Sequence, residues 1–323
     1  MQGKRTVPYR IEGSPDPLHE PITDPLYKAV FPYRVQGYWE AAGRVLLFEV
    51  HAQRQPLYAY AERACRLLLE CYQLAQTRLG LEHSLRYGQT LRVFLMVEGK
   101  PGAEQQQNLL YLYDLTEQVP PREWVRELTH EYGHWIMPPI NSFVEPEAWA
   151  NGDLGERWFL YHLWEGVQAG AIPTSVIMGA SVDDLERYLR RAYHPLVERV
   201  AREGLNSARW RSRRRAGYEE YLALALYADR IYGSALLGRA MRIAGGVEPD
   251  DFLMGLRESL LERETLTVRL PTNPCWLILP AGLKFWQVAA PHQAQLTPDP
   301  KRPDWVRAQS PTPELTLRQR HAR

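Results

Sequence analysis

The sequence has little cysteine and no long apolar run. It contains 3 Cys in 323 residues, too few for the disulfide framework of a small secreted protein or for a zinc site built only from thiolates. Cys65 and Cys71 are six positions apart on one expected helix and point in different directions, so we expect reduced thiols. No stretch of about eighteen apolar residues occurs, so no membrane span is expected.

An excess of one charge is also missing. The formal net charge is +1, which provides no general attraction to nucleic acid or to a membrane surface, so no nucleic-acid partner is expected. The first seventeen residues include basic side chains but no apolar segment of the secretory type. We therefore expect a cytoplasmic protein as the sequence stands, or a secreted one if a leader has been removed. There is no glycine-rich phosphate loop and no internal repeat.

The most informative segment present is His130-Glu131-Tyr132-Gly133-His134. Two histidines four residues apart on a helix lie on the same face, about one turn apart. Such a pair can occupy two corners of a tetrahedral zinc site. Glu131, beside the first histidine, is then suited to take a proton from a water on the metal. The motif predicts a zinc-dependent hydrolase with Glu131 as general base.

The surrounding helix supports this interpretation, although an HExxH string arises by chance in roughly one such chain in fifty. The apolar residues of 121–137 fall on one side of a 3.6-residue wheel, and both histidines fall on the opposite side. Pro138 and Pro139 end the helix. A solvated polar face is the alternative, but such a helix rarely runs directly into Trp-Ile-Met-Pro-Pro-Ile.

Zinc hydrolases use three protein ligands and leave a position for water. The third ligand should lie downstream, and the segment 153–169 reads as the next helix. Glu156 lies at the centre of its apolar face, where a carboxylate is costly unless it is paired or bound to a metal. Glu156 is therefore the preferred third ligand; the alternative is a carboxylate that caps the helix start. Glu147 and Glu165 remain open as replacements.

From His134 to Glu156 there are 21 intervening residues, a spacing that resembles the gluzincin group of HExxH zinc metallopeptidases. The expected order before the motif also resembles that of peptidase-MA-like zincins: strand, long helix, strand, edge strand and active-site helix. Residues 229–233 (DRIYG) look like the turn that ends a helix in the C-terminal half of that group. The resemblance covers about residues 36–262. The run Trp164-Glu165-Gly166 partly mimics the group's WxxEG pattern, which keeps Glu165 a candidate.

The resemblance implies an α+β, zincin-like fold. In that fold a small mixed sheet packs on the HExxH helix and a mainly helical subdomain follows. We expect a zincin-like domain over 36–290, with the sheet and active-site helix in 36–140, a helical half in 141–264 and a terminal hairpin in 265–290. Residues 1–35 are expected to form an irregular arm anchored by Tyr27, Phe31 and Tyr33, and residues 291–323 a flexible tail.

Local patterns give the expected elements within these ranges. Residues 99–107 read as a polar turn, and the strand 108–115 is the expected edge of the cleft, where an extended peptide can pair by strand addition. The remaining expectations are strands at 45–50 and 91–97, a helix at 56–79, helices at 153–169, 182–203, 217–231, 234–244 and 249–263, and a hairpin formed by 265–270 and 275–279.

Three functions are compatible with these patterns. The first is an active zinc peptidase that acts on a peptide or protein substrate, with zinc on His130, His134 and Glu156. The second is a catalytically silent binding or regulatory protein of zincin fold. The third is a helical interaction protein that binds phosphates or an acidic partner through the arginine run of 209–215, although such a run is more often a solvated loop.

Overall fold

The computed structural model describes residues 7–41, 43–85, 88–115 and 120–320. The fold is mixed α+β, and the chain divides into two compact units. Unit 1 comprises Met1–Thr77, Leu81–Met137 and Gly155–Leu189, and unit 2 comprises Arg78–Gly80, Pro138–Leu154 and Arg190–Arg323. Among the described residues, no helix combines the length and the apolar character needed to cross a membrane.

Unit 1 is built on a six-stranded mixed sheet with the order β1-β4-β5-β6-β8-β7. Strands β5, β6 and β8 are parallel, and the other pairs are antiparallel. The strands of this sheet are β1 (Tyr9–Gly13), β4 (Tyr33–Trp39), β5 (Val45–Ala52), β6 (Leu91–Leu95), β7 (Gly102–Gln106) and β8 (Leu109–Tyr113). Strands β2 (Ile22–Thr23) and β3 (Val30–Phe31) pair in a separate two-stranded sheet.

Helices accompany this sheet in unit 1. Helix α1 (Tyr58–Leu74) packs on β4 and β5, where Gly37 lets Cys65 and Leu69 approach the strand closely. Helix α2 (Pro121–Ile136) packs on β7, β8 and α1. Helices α3 (Asn151–Gln168) and α4 (Val182–Ala192) follow. The HExxH helix therefore lies beside the sheet edge formed by β7.

Part of the segment preceding β4 covers the sheet, and it is not an irregular arm throughout. Residues 9–13 form β1, which pairs with β4 over five residues and so belongs to the sheet. Phe31 is fully buried and packs with Phe94 and Tyr111, and the ring of Tyr27 contacts Tyr111 edge-on. The anchoring role predicted for Phe31 is thereby confirmed, whereas Tyr27 is 49% exposed despite this contact and Tyr33 belongs to β4.

The predicted polar turn at 99–107 is wrong. Residues 102–106 form β7, which pairs antiparallel with β8 and is the edge strand on that side. The predicted edge strand, β8, instead lies between β6 and β7. The sequence of β7, GAEQQ, has no apolar alternation, and each of its five residues is partly or fully exposed, so burial imposes little pattern on it.

Unit 2 combines helices with two small antiparallel sheets. Its helices are α5 (His194–Glu203), α6 (Ser207–Trp210), α7 (Arg215–Tyr232), α8 (Ser234–Ile243) and α9 (Pro249–Leu261). Helix α7 packs on α5, and α8 packs on α9. The predicted helix 182–203 is divided between α4 and α5 because Pro195 starts a new helix, and a proline ring clashes with the preceding turn.

The predicted hairpin of 265–270 and 275–279 is wrong, and so is the predicted flexible tail. Strand β9 (Thr265–Arg269) pairs with β14 (Glu314–Gln319), whereas β10 (Cys275–Ile278) pairs with β13 (Trp305–Gln309). Strands β11 (Trp286–Val288) and β12 (Gln295–Pro298) complete the two sheets. Residues 305–319 supply the partner strands, so β9 and β10 belong to different sheets. Residues 321–323 of the predicted tail lie outside the described residues.

Candidate metal centre

Helix α2 begins and ends where its sequence predicts. Pro121 occupies the first turn, where the missing N–H costs no hydrogen bond, and Glu123 adds an acidic group near the positive end of the helix. The helix ends at Ile136, two residues before Pro138. Its apolar side buries Trp124, Val125, Leu128, Tyr132 and Trp135. His130 and His134 are less buried than these residues, on the side that the wheel predicts.

The two histidines of the motif converge. Nε2 of His130 lies 3.2 Å from Nε2 of His134, and the rings meet edge to face with centroids 4.9 Å apart. The side chain of His130 is 18% exposed, so its ring is accessible to solvent and to a small ligand. At this separation the two nitrogens can share a hydrogen bond, in which one ring donates and the other accepts, or can both bind one cation when neither nitrogen carries a proton.

Glu131 lies on the same helix between the two histidines, and it is only 6% exposed. A carboxylate at this level of burial requires hydrogen-bonding partners, a cation or both, because its desolvation is costly. The burial distinguishes Glu131 from the exposed glutamates expected on a solvated helix face.

Glu156 is brought to His130, and two glycines make this possible. A Cβ atom on Gly155 would lie 2.4 Å from Cα of Gly133, so the backbones of α2 and α3 meet at these residues. Tyr132 also contacts Phe159 across the same pair of helices, with ring centroids 5.5 Å apart. The sequence-based expectation that Gly133 permits a close approach of another segment is confirmed.

The carboxylate of Glu156 is 5% exposed and fully engaged within unit 1. Its Oε2 lies 3.0 Å from Nδ1 of His130, and its Oε1 accepts a hydrogen bond from the hydroxyl of Tyr188 at 2.5 Å. Nε of Arg126 lies 3.6 Å from Oε1. Sequence analysis did not find Tyr188, because no local pattern shows that α4 faces this carboxylate.

The other candidate carboxylates have different surroundings. Glu165 is 40% exposed at its side chain and contacts Tyr161 and His162 of its own helix, with Oε2 3.6 Å from Nδ1 of His162. Glu147 belongs to unit 2, where its Oε1 accepts a hydrogen bond from Tyr218 at 2.7 Å. Burial and the charges of Asp153 and Glu147 raise the pKa of Tyr218, so this hydroxyl stays a donor.

A buried chain of hydrogen bonds connects Tyr132 of α2 to His83 and the backbone of Gln89. Nδ1 of His83 lies 2.6 Å from the carbonyl oxygen of Gln89, which can only accept, so His83 donates from Nδ1. Its Nε2, at 2.8 Å, then accepts the hydroxyl proton of Tyr132. Burial lowers the pKa of His83 to about 4, although the hydrogen bond to Gln89 opposes this shift. The neutral ring anchors the central residue of the motif.

The arginine run of 209–215 is partly committed to ion pairs within unit 2. Nε of Arg209 lies 3.1 Å from Oε2 of Glu220, a fully buried carboxylate that Arg199 also contacts at 2.7 Å. Arg213 pairs with Glu248 at 2.7 Å. Two arginines of the run thus have structural partners, which weakens the hypothesis of a phosphate-binding loop.

The comparison with known proteins assigns no family: no protein-family model matches the chain, and no curated protein matches its sequence significantly. Functional inference therefore depends on the geometry of this centre and on the motif.

Proposed function

We propose that this protein hydrolyses peptide bonds with a zinc ion held by the histidines of α2. The observation that supports this most strongly is the 3.2 Å separation between Nε2 of His130 and Nε2 of His134, with the buried Glu131 between them on the helix. The function class comes from the HExxH motif and its resemblance to gluzincins.

The donor set fits zinc. Two nitrogens bound at 2.0–2.1 Å with a near-tetrahedral angle lie roughly 3.3–3.4 Å apart, close to the separation of the two imidazole nitrogens. Neutral imidazole is a preferred zinc ligand, and the nearby carboxylate of Glu156 adds negative charge that favours a cation. His130 and His134 are the proposed ligands, and Glu156 is the third side chain of the proposed centre.

Glu131 is the proposed general base. Zinc at this position would lower the pKa of a bound water from about 15.7 towards 7 and polarise a carbonyl group. Glu131 would hold the proton released by the attacking water and pass it to the leaving amine. Its place in the motif, directly after His130 on the same helix, supports this role.

Strand β7 is the proposed docking edge for an extended peptide. It is the last strand of the sheet in unit 1, it pairs with β8 on one side, and α2 packs beside it. An extended substrate segment can add to such an edge by main-chain hydrogen bonds. The polar sequence of β7 suits this mode, since the backbone rather than apolar side chains provides the contacts.

The test separates the base from the ligands. Glu131→Gln is expected to retain stoichiometric zinc and to lower the rate of peptide hydrolysis by about 10²–10⁴-fold, the usual contribution of a general base. His134→Ala is expected to lose zinc itself. Metal analysis of the purified protein and a fluorogenic peptide library, each with and without chelator, measure both effects.

Glu165→Gln is the matched control, because Glu165 is an exposed carboxylate of α3. This substitution should leave both zinc content and peptide hydrolysis unchanged. Full activity in Glu131→Gln would contradict its role as base. Stoichiometric zinc without hydrolysis of any peptide would instead favour the catalytically silent zincin-fold protein.

A further inference from the structure

Glu156 contacts His130 at the ring edge that does not face His134. Oε2 of Glu156 lies 3.0 Å from Nδ1 of His130, whereas Nε2 of the same ring lies 3.2 Å from Nε2 of His134. The in-plane bonding directions of the two imidazole nitrogens diverge widely, so they serve two different partners. The contact with Glu156 thus uses Nδ1 of His130 and leaves Nε2, which faces His134, as the nitrogen that would bind an ion.

The second oxygen of Glu156 is held by other side chains. Tyr188 of α4 donates its hydroxyl proton to Oε1, and Arg126 of α2 lies 3.6 Å from the same atom. Burial alone would lower the pKa of Arg126, but the negative charges of Glu156, Glu127 and Glu123 outweigh it and raise that pKa. Each oxygen of Glu156 therefore contacts another side chain, and neither of these contacts involves the two facing Nε2 atoms.

We propose that Glu156 is a positioning residue for His130 and not a zinc ligand, an inference that rests on the proposed function. Oε2 accepts a hydrogen bond from the N–H group at Nδ1 of His130. The ring then keeps its lone pair on Nε2, which faces His134. Tyr188 and Arg126 hold the carboxylate in the orientation that accepts this proton. A histidine ligand oriented in this way binds a metal more tightly because its tautomer and ring angle are set in advance.

The first experiment needs no metal. The zinc-free protein is labelled with ¹⁵N-histidine, and long-range ¹H–¹⁵N correlation identifies the tautomer of His130. The wild type should carry its proton on Nδ1. Glu156→Gln should keep this tautomer, because the amide oxygen still accepts, whereas Glu156→Ala should lose the preference. A proton on Nε2 in the wild type, or an Nδ1 proton unaffected by Glu156→Ala, would overturn the proposal.

The second experiment measures zinc affinity by chelator competition and the ligand set by X-ray absorption at the zinc edge. Glu156→Ala is expected to weaken binding by about 10–100-fold, as for other groups that orient a ligand histidine, while the bound zinc keeps the same number and type of protein ligands. Glu156→Gln should recover most of the affinity. Tyr188→Phe, which removes only a hydroxyl group, should weaken binding in the same direction with an unchanged ligand set.

The outcomes separate this proposal from the proposed function. Loss of an oxygen ligand from the zinc in Glu156→Ala would show direct coordination and overturn the positioning role, while the zinc centre would stand. A wild type with the Nδ1 proton on His130 but no zinc affinity would support the positioning role and overturn the zinc function. Glu165→Gln, on the same helix, should leave affinity unchanged; an equal loss there would overturn the assignment to Glu156.

Discussion

His51 shows how differently the histidines of unit 1 are used. Its ring is 1% exposed in the sheet, stacked on Phe94 with centroids 5.0 Å apart. Neither ring nitrogen has a hydrogen-bond partner among the described residues. Burial, with the charges of Arg92 and Arg34, lowers the pKa of His51 to about 3. This histidine is neutral in the fold, whereas His130 and His134 are exposed enough to bind a ligand.

His51 should make the protein sensitive to acid. Its pKa is about 3 in the fold against 6.5 in the unfolded chain, so the unfolded state binds more protons between these values. The free energy of unfolding therefore falls, by on the order of a few kcal/mol, as the pH decreases from 6.5 towards 3, and above pH 6.5 His51 causes no such loss. His51→Leu should flatten the fall in unfolding free energy between pH 6.5 and pH 4. Chemical denaturation of both proteins at several pH values measures it.

An unchanged pH dependence in His51→Leu would show that other groups set the acid response. His83 is the obvious one, since burial lowers its pKa to about 4. His292 lies in unit 2, where its Nε2 is 3.2 Å from the hydroxyl of Thr316, and His292→Leu is the matched control for the replacement of a histidine by leucine.

At the scale of elements, the crossing of α2 and α3 is the feature most easily disturbed. A Cβ atom on Gly155 would lie 2.4 Å from Cα of Gly133, a backbone atom that cannot move aside as a side chain can. Gly155→Ala is therefore expected to lower the free energy of unfolding by about 1–3 kcal/mol through overpacking. It should also weaken zinc binding, because it pushes Glu156 away from His130. Thermal unfolding and chelator competition measure the two effects.

Gly166→Ala is the control in the same helix. The three atoms nearest to its added Cβ, at 2.5–3.4 Å, all belong to the side chain of Ile172, so a side chain rather than a backbone must shift, and alanine is the better helix former by about 1 kcal/mol. This variant should lose less stability than Gly155→Ala and keep its zinc affinity. Equal losses in both variants would mean that α3 tolerates no added methyl group, and the crossing would lose its special role.

The elements also show where local patterns stop being informative. Helix α2 could be predicted because its apolar periodicity and flanking prolines all act within one segment. Strand β7 could not, because each of its five residues is partly or fully exposed and the strand therefore has no apolar pattern. Strand β14 was expected to be part of a flexible tail. In the structure Leu315 and Leu317 are buried, and the pairing of β14 with β9 depends on a segment 45 residues away (Arg269 to Glu314).

At the scale of the whole molecule, removal of zinc should affect the two units unequally. The proposed ligands His130 and His134 belong to unit 1. A ligand at 100 times its Kd stabilises the state that binds it by about 2.7 kcal/mol. Chelator should therefore increase hydrogen exchange in α2 and in residues 155–168 of α3, and leave β9 and β14 unchanged. Exchange followed by mass spectrometry, with and without chelator, makes this comparison.

His134→Ala provides the control for this experiment, because a protein without the metal site should exchange identically with and without chelator. A chelator effect that persists in His134→Ala, or one that is confined to the strands of unit 2, would contradict zinc binding on α2.

The sequence by itself determined the helix that carries the motif, the face on which His130 and His134 lie and the inward position of Glu156, because each follows from the helical period and the cost of burying a carboxylate. Tertiary structure alone decided that Glu156 meets Nδ1 of His130 with Tyr188 behind it, and that β7 forms the edge of the sheet. These features arise where separate segments meet, at the contact of Gly133 with Gly155 or along the edge of the sheet. Local periodicity describes one segment at a time and cannot predict the distance between two segments.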